Sequence, residues 1–129
     1  MTEYRVIVKT SPRDPPQAHE MHAALILANK YFFCDIDFLR AGEFHTPDLS
    51  VKGIRWEIKS PIGNGRRTID NILHKADKQS KNVVIDLTRL KMRQSEAMAR
   101  LNHYLSYPNH GLKKVVVITK SEQVIEILT

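Results

Sequence analysis

At 129 residues, 42% apolar and 26% charged, the chain is long enough for one domain with a sizeable core. No apolar run approaches the roughly 20 residues that cross a bilayer, and Glu3, Arg5 and Lys9 interrupt Met1–Thr10 as a secretory h-region, so a cytoplasmic site of action is expected. A single cysteine, Cys34, excludes an intrachain disulfide framework and a Cys-rich zinc finger, while twenty Lys+Arg against fourteen Asp+Glu favour a polyanionic partner.

The chain opens on Met1 as a free-standing protein would, and reads as one domain over residues 1–129 without repeats or linkers. Tyr4–Val8 is a short strand or extended arm, closed off by the proline-rich Ser11–Pro16. From Gln17 to about Tyr31 the pattern is helical: Met21, Ala24, Leu25 and Ala28 share one stripe, and Ala23, Ile26 and Leu27 make the helix apolar almost all round. Phe32–Leu39 alternates as a strand, and a loop follows over Arg40–Thr46. Pro47–Val51, a Lys52-Gly53 turn and Ile54–Lys59 complete a hairpin. Thr68–Lys81 is a helix that buries Ile69, Ile72, Leu73 and Ala76. Val83–Leu87 has the continuous apolar run of a central strand covered on both faces. Met92–Tyr107 is a third helix, stopped at Pro108–Gly111, and Val115–Ile118 and Val124–Ile127 are closing strands. This order predicts an α/β fold, a mixed central sheet flanked by helices.

The hairpin carries the most informative constellation. Strand alternation puts Arg55, Glu57 and Lys59 on one face and Ile54, Trp56 and Ile58 on the other. Asp48, at the start of the partner strand, falls near the Glu57–Lys59 end. Two carboxylates beside an amine suit a hard divalent cation, Mg²⁺ or Mn²⁺, held by Asp48, Glu57 and a main-chain carbonyl. Positions would remain open for a phosphate oxygen and a nucleophilic water, with Lys59 stabilising the charge that develops. A solvated strand face with an ordinary Glu/Lys pair would use the same residues. Glu20 tilts the balance: with Ala23, Ala24 and Leu27 at i+3, i+4 and i+7 it points to the apolar side, where a carboxylate needs a partner or a cation. A first-turn glutamate favoured by the helix dipole is the simpler alternative.

Arg66 and Arg67, beside Gly63 and Gly65, could clamp phosphates, and Lys75, Lys78 and Gln79 lie along a polar helix face with Asn71 that could follow a nucleic-acid backbone. Solvated surface is the alternative for both. His19 and His22 flank Glu20 but do not form a HExxH zinc motif, and His45, His74, His103 and His110 read as surface residues. Trp56 reads as core.

In order and in element type, Glu20, Pro47-Asp48 and Glu57-Ile58-Lys59 resemble the PD-(D/E)XK nuclease superfamily. The segment from Gly63 through Lys75-Ala76-Asp77-Lys78-Gln79 to Asn82-Val83-Val84-Ile85-Asp86 is similar to the CdiA C-terminal tRNase-type toxin domains. The resemblance covers roughly Pro15–Ile118 and implies a restriction-endonuclease-like α-β-β-β-α-β core. It implies Asp48 and Glu57 as metal ligands, Glu20 as an auxiliary acidic residue and Lys59 as the catalytic lysine. It also implies a nucleic-acid substrate, RNA or tRNA before DNA, and a cognate immunity protein as partner. A DNA endonuclease of restriction or repair type, or a non-catalytic binding domain on the same fold, are the alternatives.

Overall fold

The apolar alternation of the short segments resolves into one seven-stranded mixed sheet whose strands run in sequence order. The computed structural model describes residues 3–9, 15–39 and 48–129; Ser11–Asp14 of the proline-rich patch, the Arg40–Thr46 loop with His45, and Pro47 lie outside the described residues. The strands are β1 (Val6–Val8), β2 (Ile36–Phe38), β3 (Leu49–Val51), β4 (Ile54–Lys59), β5 (Asn82–Asp86), β6 (Lys114–Ile118) and β7 (Val124–Leu128). Pairing is parallel for β1/β2, β4/β5 and β5/β6, and antiparallel for β2/β3, β3/β4 and β6/β7. The expected α/β class, with a mixed sheet between helices, is what the chain adopts.

Helix α1 (Ala18–Leu27) lies on one face, and α2 (Thr68–Gln79) and α3 (Gln94–Leu105) on the other. Ala23, Ala24 and Ala28 let α1 settle closely on Ile36, Phe38, Leu49, Trp56, Ile58, Val84 and Val116. Opposite them, Ile69, Leu73 and Ala76 of α2 and Ala97 and Leu101 of α3 cover Val83, Ile85, Val115 and Val117. Burial on both sides explains the unbroken apolar run of β5. Both helices share a face because β4–α2–β5 and β5–α3–β6 are successive crossovers between parallel neighbours, which take the same hand. Leu25, expected in the apolar stripe of α1, is exposed.

One predicted strand is shorter than its sequence suggests. Instead of beginning a strand, Phe32 ends a π-helical turn, Ala28–Phe32, that prolongs α1. Packing decides this: the Phe32 ring meets Trp56 edge-on at 5.2 Å, and the Tyr31 hydroxyl donates to Glu126 of β7 at 2.7 Å. Phe33 then takes a left-handed conformation, φ 51°, that turns the chain into β2. At the β3–β4 hairpin, Lys52 and Gly53 both have positive φ, 51° and 82°. That is the requirement of a two-residue turn matching the strand twist, and glycine meets it without strain.

Candidate active site and its basic flank

The register of β4 sets the site. Glu57 stands opposite Val83, on the α2–α3 side of the sheet, whereas Trp56 and Ile58 pack toward α1. Leu49 pairs with Trp56, so Asp48, one residue earlier, arrives beside Glu57. The Ile58 amide donates to Asp48 Oδ2 at 3.2 Å, which fixes the carboxyl against β4. Glu57 is only 3% exposed, and Lys59 Nζ lies 3.0 Å from its Oε2. The other oxygen, Glu57 Oε1, is buried and receives no hydrogen bond from the described residues.

Burial, first, and then the charge of Glu57 and a hydrogen bond shared with it push the Asp48 carboxyl up to about 7, from 3.8. The Ile58 amide works in the opposite direction, and the charge of Glu20 adds to the rise. Glu20 therefore does both things its position allows. Its Oε1 accepts from the Gln17 amide at 2.8 Å, capping α1, and its charge is felt at Asp48. Thus Asp48, just before β3, and Glu57 and Lys59 of β4 come together, and Glu20 of α1 is near enough for its charge to reach Asp48. Among the described residues, Asp48 and Glu57 set two carboxylates against the one Lys59 ammonium, which leaves surplus negative charge in a partly dry setting.

A cation would relieve that surplus. Among the described residues no three His, Cys, Asp or Glu side chains converge closely enough to hold a metal by themselves. Two carboxylates supplemented by main-chain oxygen and water are nevertheless the donor set that Mg²⁺ accepts, and the undonated Glu57 Oε1 is an acceptor available to it. The residues fit such an ion. His22 instead pairs with Glu122 in the turn between β6 and β7.

Next to Lys59, Ser60 Oγ donates to Asp86 Oδ2 at 3.2 Å, while the Thr88 amide and hydroxyl donate to Asp86 Oδ1 at 3.0 and 2.7 Å. Asp86 ends β5, is 1% exposed, and ties the end of β4 to its neighbour. Nothing local marks Asp86 as a tie; its partner Ser60 is brought to it by sheet pairing.

The basic residues divide into two groups. Lys75 and Lys78 are exposed on α2 with Asn71, as the helical spacing predicts. Gln79 departs from that solvated face: it is half-buried, and its Oε1 has no hydrogen-bond partner among the described residues. Arg66 and Arg67 line a cleft of about 390 Å³ together with Asp70 and Arg100. Arg100, on α3, was invisible as a site residue because only the packing of α2 on α3 brings it there.

Residues 45–124 match the family described as the contact-dependent growth inhibition CdiA C-terminal domain. The chain belongs to this family. None of the curated proteins matches the sequence. A solved CdiA-CT/CdiI toxin and immunity complex from Burkholderia pseudomallei contains a similar chain, 25% identical with a TM-score of 0.69. The alignment covers 97% of this chain and 99% of that one, so the likeness to a CdiA toxin structure extends over nearly the whole fold. No described helix is long and apolar enough to cross a membrane.

Proposed function

We propose that this CdiA C-terminal domain is a metal-dependent endonuclease of the PD-(D/E)XK type that hydrolyses phosphodiester bonds in RNA, tRNA included, and acts in the cytoplasm. The observation that carries the reading is the half-buried Asp48 beside the buried Glu57, with Lys59 at 3.0 Å from Glu57. Asp48 and Glu57 would hold Mg²⁺ or Mn²⁺, with Glu20 as an auxiliary carboxylate. The ion, when bound, supplies Lewis-acid polarisation of the phosphate. Lys59 donates hydrogen bonds toward the attacking water and the phosphoryl oxygens, where negative charge grows. The Ile58 amide keeps Asp48 oriented against β4. Arg66, Arg67, Lys75, Lys78 and Gln79 are proposed to bind the nucleic acid. A cognate immunity protein is the proposed regulatory partner, by similarity to the toxin and immunity complex.

The Lys59–Glu57 ion pair also supports a second reading, a charge-balanced domain that binds nucleic acid or protein without cleaving. Incubating the pure protein and Glu57→Gln with total RNA, tRNA and plasmid DNA, each in Mg²⁺, Mn²⁺ or EDTA, separates the readings. The nuclease reading expects RNA cleavage by wild type in Mg²⁺ or Mn²⁺, and none in EDTA or by Glu57→Gln. Cleavage of DNA alone would move the substrate to the restriction or repair class. Intact substrates throughout would leave the binding domain.

A further inference from the structure

We infer that the arginine-lined cleft beside α2 is a phosphate subsite, holding a backbone phosphate of the substrate strand away from the scissile bond, with Arg100 as one of its binding residues. The inference rests on the nucleic-acid reading above and specifies where and how the strand is held.

Three arginines, Arg66, Arg67 and Arg100, line a space of about 390 Å³, with Asp70 the only carboxylate among the described lining residues. Among the described residues, none of the three lies within 4.0 Å of a carboxylate oxygen, so three positive charges gather with only the Asp70 carboxylate, beyond ion-pair distance in the same lining, to offset them. Such a gathering opposes folding unless an anion relieves it. Arg67 also occupies the cap position of α2, where no side chain caps the helix end and Asp70 in the first turn offsets part of its positive dipole.

The lining identifies the anion. Among the described residues, no apolar side chain contributes a wall on which a base or an apolar peptide side chain could rest. The guanidinium fork matches phosphate oxygens in a bidentate way. The cleft shares no lining residue with Asp48, Glu57 or Lys59, so it is a second locus rather than an extension of the first. Seven residues of chain from Lys59 to Arg66 span at most about 25 Å, which keeps the cleft within a few nucleotides of the cut. Asp70 opposes binding: its charge competes with the phosphate for the arginines.

The test measures binding of a short labelled single-stranded RNA in Ca²⁺, over a range of salt, to wild type, Arg100→Ala, Arg66→Ala/Arg67→Ala and Asp70→Asn. A polyglutamate peptide of equal charge is the competitor, and circular dichroism melts check each fold. Arg100→Ala should weaken binding roughly tenfold and lower the salt slope by about one, and Asp70→Asn should tighten binding a few-fold. An unchanged salt slope in folded Arg100→Ala and in the double variant would overturn the subsite. Equal competition by polyglutamate would also overturn it, in favour of an acidic protein surface. If wild type binds this way but cuts no nucleic acid, the nuclease reading fails and the subsite stands; normal cleavage with unaltered slopes sinks the subsite alone.

Discussion

Replacing Asp48 with asparagine should stabilise the metal-free protein at pH 8 and lose most of that advantage by pH 5. The wild-type carboxyl stands at about 7 in the folded chain against 3.8 without the fold, chiefly because it is buried and faces Glu57. At about 1.4 kcal/mol per pH unit the difference is worth about 4 kcal/mol. The fold prefers the protonated carboxyl, so the associated stability is complete below about pH 3.8 and drains away as pH rises through about 7. From pH 5 to pH 8 the wild type should lose about 3 kcal/mol by this route, on the order of 10 °C in Tm. Asparagine keeps an oxygen for the Ile58 amide, which donates to Asp48 at 3.2 Å, and never ionises. Thermal and urea unfolding of both proteins in EDTA at several pH values between 5 and 8 measures the effect. Taking the difference between the two curves cancels the titrating groups that do not interact with Asp48, and leaves Asp48 with its coupled neighbour Glu57. A gap that stays constant across this range would refute the argument that buried carboxylate charge dominates the site. Added Mg²⁺ should reverse the order at pH 8, stabilising wild type and leaving the asparagine variant little changed.

Lys59→Met should lower single-turnover cleavage in Mg²⁺ by about 10²–10³-fold while affinity for RNA in Ca²⁺ falls far less; equal losses in both assays would make Lys59 a structural counter-charge to Glu57. Lys75→Ala with Lys78→Ala, both on the exposed face of α2, should reduce the salt dependence of RNA binding by up to two counterions without altering thermal stability; salt titration by fluorescence anisotropy reads this directly. Leu73→Ala should cost about 2–5 kcal/mol in urea unfolding, because Leu73 is fully buried between α2 and the sheet and its removal leaves a cavity. A loss under 1 kcal/mol would mean that this layer repacks freely.

Much of this protein is written in short-range pattern. The two-residue period of β4, the helical spacing of α2 and the apolar run of β5 each follow from how a side chain alternates around its own backbone, and each element forms close to where that pattern puts it. The neighbourhood of Asp48, Glu57 and Lys59 was legible for the same reason: a two-residue turn at Lys52-Gly53 ties the register of β3 to that of β4. Local pattern failed where a distant partner outbid it. Phe32 has every propensity for a strand, but the ring of Trp56 and the tie from Tyr31 to Glu126 hold it in a π-helical turn. Gln79 lies on a polar helical stripe, yet packing half-buries it. Arg100 has no spacing that marks it; only the docking of α3 on α2 carries it to Arg66 and Arg67. Periodicity and turn chemistry act within a few residues, so sequence determined the elements, their sheet faces and the carboxylate hairpin. Desolvation and charge act through space, so only the tertiary structure decided that Glu57 is buried, that the Asp48 carboxyl sits near 7, and that three arginines share one cleft.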